Sequence, residues 1–598
     1  METATAKVTR RQLLGAAAAT SLGATSGCVQ RLRSIANRQS SETVSLSVTA
    51  PPADSDRLAT LIARHLVSNL EAAGIDTTLN ILPQSELLRE VLLNRNFDLF
   101  VTRLPPVVDP QEYTALLHSV FAGEQGWQNP YGVTDMVTDD YLGAQQRTAG
   151  DSRRRNARKL TRYITRTQPF TTVGFPDEIR AVRTDQFTGW ETGIASPISY
   201  LALERASEIP PEEDLSLQLS ITDSRLSQNL NPLSVEYRQP EPFTDLLYDP
   251  LVRRFGETFV PWLASEWAFE QDGQQSTITA SLRPGLIWHD GISITAQDVA
   301  FTFRFLSDTS LDELEQQVPA PFYRAWTSIV AEARAIDDET VRLTVETPSE
   351  AVARQVLLTP IFPAHIWREH TSVADLSGFE SSENITEALV FANEDAIGSG
   401  PVAVGNVVAD EEVVFQPFEE HFLTRGEGDL TEIPERFAGG FPFDELRFRV
   451  TPSNETAVEL VVQGDLDGTA MDVDPREEII ERIAGASEVS MVVERSPSAY
   501  HIGYNTSTRP FSNPYFCRLV ARLVDKQYIV DNIFRGYGAP ASNPFDGTQW
   551  SPNHLGFDSA DPVVPFLGTD GEVDAEQARA EFRKQGFEFD EDGTLLLR

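Results

Sequence analysis

Residues 45–102 follow a β-α-β-α-β pattern, and no other feature of the chain restricts its fold more. Leu46-Ser47-Val48 reads as a short strand. Leu58, Leu61, Ile62, Leu66 and Leu70 then recur at helical spacing, and Gly74 stops the helix. Thr77 to Leu82 is a second strand, and Ser85 caps a second helix that runs through Leu93. Phe97 to Thr102 is a third strand, nearly all apolar, as expected of one buried on both faces of a parallel sheet. Parallel neighbours require right-handed crossovers, so this is an α/β unit and not a small hairpin domain.

The remainder mixes helix and strand signals. Residues 103–134 form a long loop region rich in Pro, Gly and aromatics. Residues 139–166 are helical and carry Arg147, Arg153, Arg154, Arg155, Arg158, Lys159, Arg162 and Arg166, with Leu160 and Ile164 facing the core. The Glu, Pro and Asp-rich segment 205–216 reads as a linker. Thr277 to Leu282 and Val341, Leu343, Val345 alternate strictly, as half-buried strands do. Between them Thr295-Ala296-Gln297-Asp298 is a capping-box pattern, followed by Val299, Phe303 and Leu306 on one helix face. A helix over Asp574 to Gln585 stops at Gly586, and Thr594 to Leu597 is a last strand.

Charge excludes one class of partner. The net charge is −40, dispersed along 598 residues, whereas nucleic-acid binding needs a cationic surface that displaces counterions. The only lysines are Lys7, Lys159, Lys526 and Lys584. An acidic surface nearly free of lysine points to a halophilic source, because a Debye length of about 3 Å at 1 M salt screens the self-repulsion. Cys28 and Cys517 form neither a disulfide framework nor a metal-ligand spacing, and Cys517 sits in an apolar helical stretch.

The first residues read as an export signal. Thr9-Arg10-Arg11-Gln12-Leu13-Leu14 resembles a twin-arginine signal, and the apolar run Gly15–Ala24 is too short to span a bilayer. Thr25-Ser26-Gly27-Cys28 resembles a lipobox, so Cys28 is the expected lipidation site and the only expected membrane anchor. The run after it is a flexible tether.

Catalytic constellations are missing. There is no Gly-x-Ser-x-Gly elbow, no phosphate loop and no paired-His zinc spacing. His289-Asp290-Gly291, Gly398-Ser399-Gly400-Pro401 and Asp465-Leu466-Asp467-Gly468 read as turns, and the last lacks the remaining ligands of a calcium loop. The expectation is no enzyme, no cofactor and no metal.

Tyr248-Asp249-Pro250-Leu251-Val252, Val260-Pro261-Trp262-Leu263-Ala264-Ser265-Glu266-Trp267, Leu282-Arg283-Pro284-Gly285, Trp288-His289-Asp290-Gly291, Gly398-Ser399-Gly400-Pro401, Gly464-Asp465-Leu466-Asp467 and Gly503-Tyr504-Asn505-Thr506 occur in that order. Over residues 217–598 this series resembles family 5 of the solute-binding proteins of ABC importers, which includes dipeptide, oligopeptide and nickel binders. The resemblance implies a two-lobed periplasmic-binding-protein (type II) fold with an extra α+β domain and a solute-filled cleft. It also implies that the second lobe's β-α-β-α-β unit follows the helix at 574–585. Here that unit stands at 45–102, so the chain reads as circularly permuted. The expected organisation is a signal over 1–27, a tether over 28–43, second lobe over 44–185, first lobe over 186–251, extra domain over 252–390, first lobe over 391–497 and second lobe over 498–598.

Family peptide binders place an aspartate shortly before the Asp-Pro of the second lobe. Here that stretch is Thr102-Arg103-Leu104-Pro105-Pro106-Val107-Val108-Asp109-Pro110, with no such acid. Arg103 closes a parallel strand, where open α/β sheets place ligand contacts, and its guanidinium suits a carboxylate or a salt bridge within the protein. Motif position adds Trp127, Asn129, Tyr504 and Asn505 as cleft candidates. The expected partners are a small-molecule solute, possible peptides among them, and ABC permease subunits, with the protein a monomer held outside the cell by its lipid. A surface sensor or adhesin keeping the same fold is the alternative.

Overall fold

The structure, a computed structural model, describes residues 42–124, 126–190, 196–207, 209–210, 214–234, 243–374, 385–426, 430–437 and 440–597. The signal over 1–27, Cys28, most of the tether and part of the 205–216 linker lie outside the described residues.

The first segment opens with β1 (Glu42–Thr43) and β2 (Ser45–Ala50), followed by α1 (Arg57–Ala72), β3 (Asp76–Ile81), α2 (Gln84–Leu88) and β4 (Leu99–Arg103). Asp56 caps α1 by accepting from the Ala59 N–H, and Gly74 follows the helix at φ 93°. Ser85 lies inside α2 instead of capping it, since Pro83 takes the cap position. β2 pairs in parallel with both β3 and β4. β4 is buried from Leu99 to Thr102, while β3, at the sheet edge, is polar and largely exposed. Leu58, Ile62, Leu66 and Leu70 of α1 lie in one core with Val48, Leu99, Val101 and Ile502. Each such side chain contributes about 1.5–3 kcal/mol on burial.

The expected loop at 103–134 contains α3 (Glu112–Leu117), and the basic helical run is two helices, α4 (Met136–Gln146) and α5 (Gly150–Thr167), broken at Gly150 with φ 53°. Leu160 and Ile164 are buried as the spacing requires, but so is Arg153. Arg153 forms a two-pronged pair with Asp109, bonds Gln145 and lies over the Trp550 ring. Arg154, Arg155, Lys159 and Arg166 face solvent.

A long strand, β5 (Phe170–Arg183), leaves this lobe, and β6 (Ser216–Ile221) begins the other. The extra domain is an antiparallel sheet of β7 (Ala264–Asp272), β8 (Gln275–Leu282), β9 (Val330–Ala335) and β10 (Thr340–Val345), in the order β7-β8-β10-β9. The helix between β8 and β9, α6 (Ala296–Ser307), carries the expected capping box from Thr295 to Asp298. The first lobe continues with β11 (Val402–Val408), β12 (Glu412–Pro417), β13 (Glu445–Val450), α7 (Asn454–Gln463), β14 (Gly468–Thr469), α8 (Glu477–Gly485) and β15 (Val489–Arg495). The chain then returns to the second lobe as β16 (Tyr500–Tyr504), α9 (Pro514–Ala521), β17 (Gly538–Pro540), α10 (Ala575–Lys584) and β18 (Leu596–Leu597). Cys517 is a core residue of α9, and burial pushes its thiol up to about 12.

Twelve strands form one sheet running through both lobes in the order β11-β12-β13-β6-β14-β5-β16-β4-β2-β3, with β15 and β17 also on β5. The N-terminal half of β5 pairs β16 and β17, and its C-terminal half pairs β15. β5 thus passes between lobes near Pro176, before the boundary expected at 185. The turn from β15 to β16 makes a second crossing beside it, where the Ser496 N–H donates to the Pro176 carbonyl.

The first and last described strands meet. β18 pairs antiparallel with β1 (Glu42 opposite Leu597, Thr43 opposite Leu596), and the Val44 N–H donates to the Leu595 carbonyl at 2.8 Å. The closing strand therefore lies on the short β1 and not on β2, whose edges are taken by β3 and β4.

Candidate functional site

A cavity of about 950 Å³ lies between the lobes. Its walls are the segments that follow parallel strands: residues 52–58 after β2, 83–85 after β3 and Arg103 at the end of β4 on one side. On the other side are 222–226 after β6, 452–455 after β13 and 471–476 after β14. Pro176 and Asp177, at the crossing in β5, also line it. Both lobes thus present the carboxyl ends of their parallel strands to one space, where α/β sheets collect ligands because helix N-termini and connecting loops converge there. The N-termini of α1 and α7, capped by Asp56 and Ser453, face the cavity from opposite lobes.

Eleven charged residues line the cavity, and most are committed to ionic partners. Arg103 Nη2 of the second lobe donates to Asp472 Oδ2 of the first lobe at 2.5 Å, with side chains 18% and 28% exposed. Arg103 Nε donates to the Tyr500 hydroxyl, and that hydroxyl donates to Asp56 Oδ1 at 2.8 Å. Glu178 lies 4.0 Å from Arg103 Nη1. Arg225 pairs with Asp223, and Arg476 with Glu455. Burial works against the Asp472 carboxylate, but Arg103 outweighs it and holds Asp472 below the usual carboxylate range. Burial raises Asp56 despite the nearby Arg103. Asp474, largely buried, is pushed up to about 6, with Arg57 opposing the shift.

Of the five cleft candidates named from sequence, only Arg103 lines the cavity, and its partner is Asp472. The other four are placed inside the protein. Trp127 packs in the core around Phe100 and Tyr131. Asn129 is fully buried, donates to the carbonyls of His118 and Val133, and accepts from the Val133 N–H, so it staples its own loop. The Tyr504 hydroxyl shares a 2.6 Å hydrogen bond with Thr171, and its ring stacks on Phe511. Asn505 donates to the Phe97 carbonyl and accepts from Ser507. Asn129, Tyr504 and Asn505 bond to backbone or core partners and Trp127 packs in the core, which are structural tasks.

Sequence reasoning missed Asp56, Arg57, Asp472, Asp474 and Tyr500. Asp56 follows the first strand of the β-α-β unit, so the carboxyl-end rule that selected Arg103 applies to it equally. Asp472 and Asp474 follow the two-residue strand β14, which carries no periodic signal. The motif turns hold the frame instead. His289 Nε2 lies 3.0 Å from the Gly400 carbonyl, and His289 Nδ1 accepts from the Gly398 N–H. Among the described residues no group of His, Cys, Asp and Glu is arranged to hold a metal ion, and no helix is long and apolar enough to cross a membrane.

A family model described as "Bacterial extracellular solute-binding proteins, family 5 Middle" matches residues 258–597. The chain is 20% identical to the dipeptide-binding protein of Escherichia coli over 362 residues, 57% of this chain and 58% of that protein. It is 23% identical to heme-binding protein A of Haemophilus influenzae over 323 residues, 51% of this chain and 52% of that protein. The match thus spans a little over half the length of these relatives. Among solved structures, the oligopeptide-binding protein AppA of Bacillus subtilis, in complex with a nonapeptide, is 16% identical, with 64% of this chain and 68% of that chain covered and a TM-score of 0.43.

Proposed function

The chain belongs to family 5 of the bacterial extracellular solute-binding proteins, and from that premise we propose that it captures a small solute between its lobes and delivers it to the permease of an ABC importer. The observation that carries this reading is the convergence of parallel-strand carboxyl ends from both lobes on one cavity of about 950 Å³, crossed by β5 and the β15–β16 turn. Two lobes joined by two adjacent crossings are a hinge, and a solute touching both walls favours closure. Peptides are a natural candidate class, because relatives are named for dipeptides and for di- and tripeptides.

The protein binds without turnover, as a monomer. Its export signal and a lipid on Cys28 hold it on the outer face of the membrane, and its surface of −40 net charge suits high salt. Its second lobe is circularly permuted relative to its family, a reading supported by the pairing of β1 with β18 and by the one sheet that joins β2, β3 and β4 to β16.

Mass spectrometry of the protein purified under native conditions should reveal a co-purified small molecule. Re-adding it to stripped protein should lower the radius of gyration in solution scattering, as hinge closure does. Catalytic turnover of that molecule, or a structure with solute bound away from the cleft, would overturn the reading. Cys28→Ser should release the protein from washed membranes, and retention there would refute the lipid anchor.

A further inference from the structure

The extra domain grips the second lobe at a place the cavity does not reach. It shares one core with the first lobe, where Trp262, Ile278 and Phe303 lie in a cluster with Leu217, Leu219 and Phe448, so the two form one body. Its short helix Arg324–Thr327 lies against α3 of the second lobe. Arg324 Nε and Nη2 donate to the two carboxylate oxygens of Glu124 at 3.0 and 2.8 Å, and the guanidinium lies 4.9 Å over the Phe121 ring. Phe322 packs against the second-lobe core of Tyr113, Trp127 and Tyr131. At the end of α4, Gln146 Nε2 donates to the Glu346 carbonyl at 3.1 Å, and Thr347 Oγ1 donates to the Gln146 carbonyl at 2.8 Å. None of these residues is among those that line the cavity.

The second-lobe side of this contact is braced from behind. Arg153, paired with Asp109, donates to Gln145 Oε1; Gln145 Nε2 donates to Gln111 Oε1 at 2.8 Å; and Gln111 Nε2 donates to the Ala325 carbonyl of the extra domain at 3.4 Å. Arg153, Gln145 and Gln111 are all buried. A guanidinium only donates, so it turns both amides the same way and leaves the last donor facing the extra domain. Arg95 holds the loop that carries Glu124 by donating to the Ala122 and Gln128 carbonyls. Opening the cleft turns the second lobe about the crossings at Pro176 and the β15–β16 turn, while the extra domain stays with the first lobe. Every open arrangement therefore breaks these contacts.

We propose, taking the hinge from the solute-capture reading above, that the extra domain is a clasp, and that Arg324 and Glu124 raise the closed fraction of the protein before any solute arrives. A solute completes a closure that is already partly populated, so its apparent affinity is set in part by residues that never touch it. Arg324 and Glu124 are positioning residues in this sense. Their pair is forked, stacked on Phe121 and only 14% and 22% exposed, which sets it apart from an ordinary surface ion pair. The Arg103–Asp472 bridge also joins the lobes, but it stands inside the cavity and within reach of a solute, whereas the clasp does not.

The full chain, freed of small molecules by dialysis, is compared with Arg324→Gln, Glu124→Gln, the double variant and Arg324→Lys by solution scattering and hydrogen exchange. Each Gln variant should have a larger radius of gyration than the parent. Amides in 111–117 and 324–327 should exchange about tenfold faster or more, while those of β11 and β12 keep the parent's rates. The double variant should be no more open than either single one, because both report the same pair, and Arg324→Lys should keep part of the effect. Melting curves establish that each variant folds. An unchanged radius of gyration, exchange that quickens equally throughout the chain, or additive effects of the two Gln substitutions would each overturn the clasp. No arm of the experiment uses a solute, so its failure leaves solute capture standing.

Discussion

Thr43 lies directly opposite Leu596 in an antiparallel pair, although the two stand near opposite ends of the chain. The contact continues inward, where the Leu595 N–H donates to the Gly74 carbonyl at 2.7 Å and the Leu595 side chain is buried in the second-lobe core. The lobe is thus closed by non-covalent pairing of its first and last described strands.

Joining the ends should therefore be tolerated. A protein in which Leu597 is linked to Glu42 by a short Gly/Ser segment, and opened instead at Pro210–Pro211, should fold with a melting temperature close to that of the parent. Circular dichroism and thermal melting check this. An insoluble or non-cooperatively melting product would count against the permuted reading.

Asp249 should be among the least replaceable residues of the first lobe. It is fully buried and accepts from Trp262 Nε1 at 2.7 Å, Arg253 Nη2 at 2.9 Å and His421 Nε2 at 2.8 Å. Burial works against its charge, but His421 and Arg253 outweigh that and keep its pKa low. Asp249→Ala removes the carboxylate shared by a buried guanidinium, a buried imidazole and an indole, and leaves Arg253 only the more distant Asp245 carboxylate at 3.5 Å, for an expected loss of about 3–5 kcal/mol by denaturant unfolding. A loss under about 1 kcal/mol would show that the cluster relaxes or hydrates.

His501 should make the second lobe acid-sensitive. Its Nδ1–H donates to the Thr102 carbonyl at 2.9 Å, Nε2 is buried without a partner, and rings of Phe100, Tyr131 and Phe170 surround it. Burial lowers its pKa from 6.5 to about 3. The unfolded chain then binds more protons than the folded one below pH 6.5. The stability from the neutral ring is complete above that value and is lost as pH falls toward about 3. His289, lowered to about 4 by burial, adds the same sign over a narrower window. His501→Gln should remove about one proton from the uptake on unfolding at pH 5. An unchanged slope of stability against pH would show that His501 is hydrated or charged in the folded protein.

Gly398 should not accept even a methyl group. A Cβ there would meet the Leu247 carbonyl oxygen at 1.8 Å, and backbone cannot give way as a side chain can. Gly398→Ala should cost about 1–3 kcal/mol, because the strand-side turn that carries the Gly400–Leu247 hydrogen bond must shift. Thermal melting that is indistinguishable from the parent would show that this turn is free to move. By contrast, Gly485, with nothing near its Cβ position, should tolerate the same change.

The sequence alone determined the α/β class, the crossover unit at 45–102, the capping box at Thr295, two of the extra domain's strands and the family. These rest on local periodicity, turn chemistry and short motifs, which survive in a linear reading because each is set by neighbours within a few residues. It also selected Arg103, through the position of that residue at the end of a buried strand. Only the tertiary structure decided what Arg103 does. Its partner Asp472 follows a strand of two residues in the other lobe, and Tyr500 and Asp56 reach it from β16 and the start of α1. Trp127, Asn129, Tyr504 and Asn505 stand in motifs as conspicuous as Arg103, yet the fold spends them on core packing and loop stapling. A motif shows that a residue is constrained; whether the constraint is a ligand or a buried backbone carbonyl depends on which face of the sheet it meets, and that is settled by contacts hundreds of residues apart in the chain.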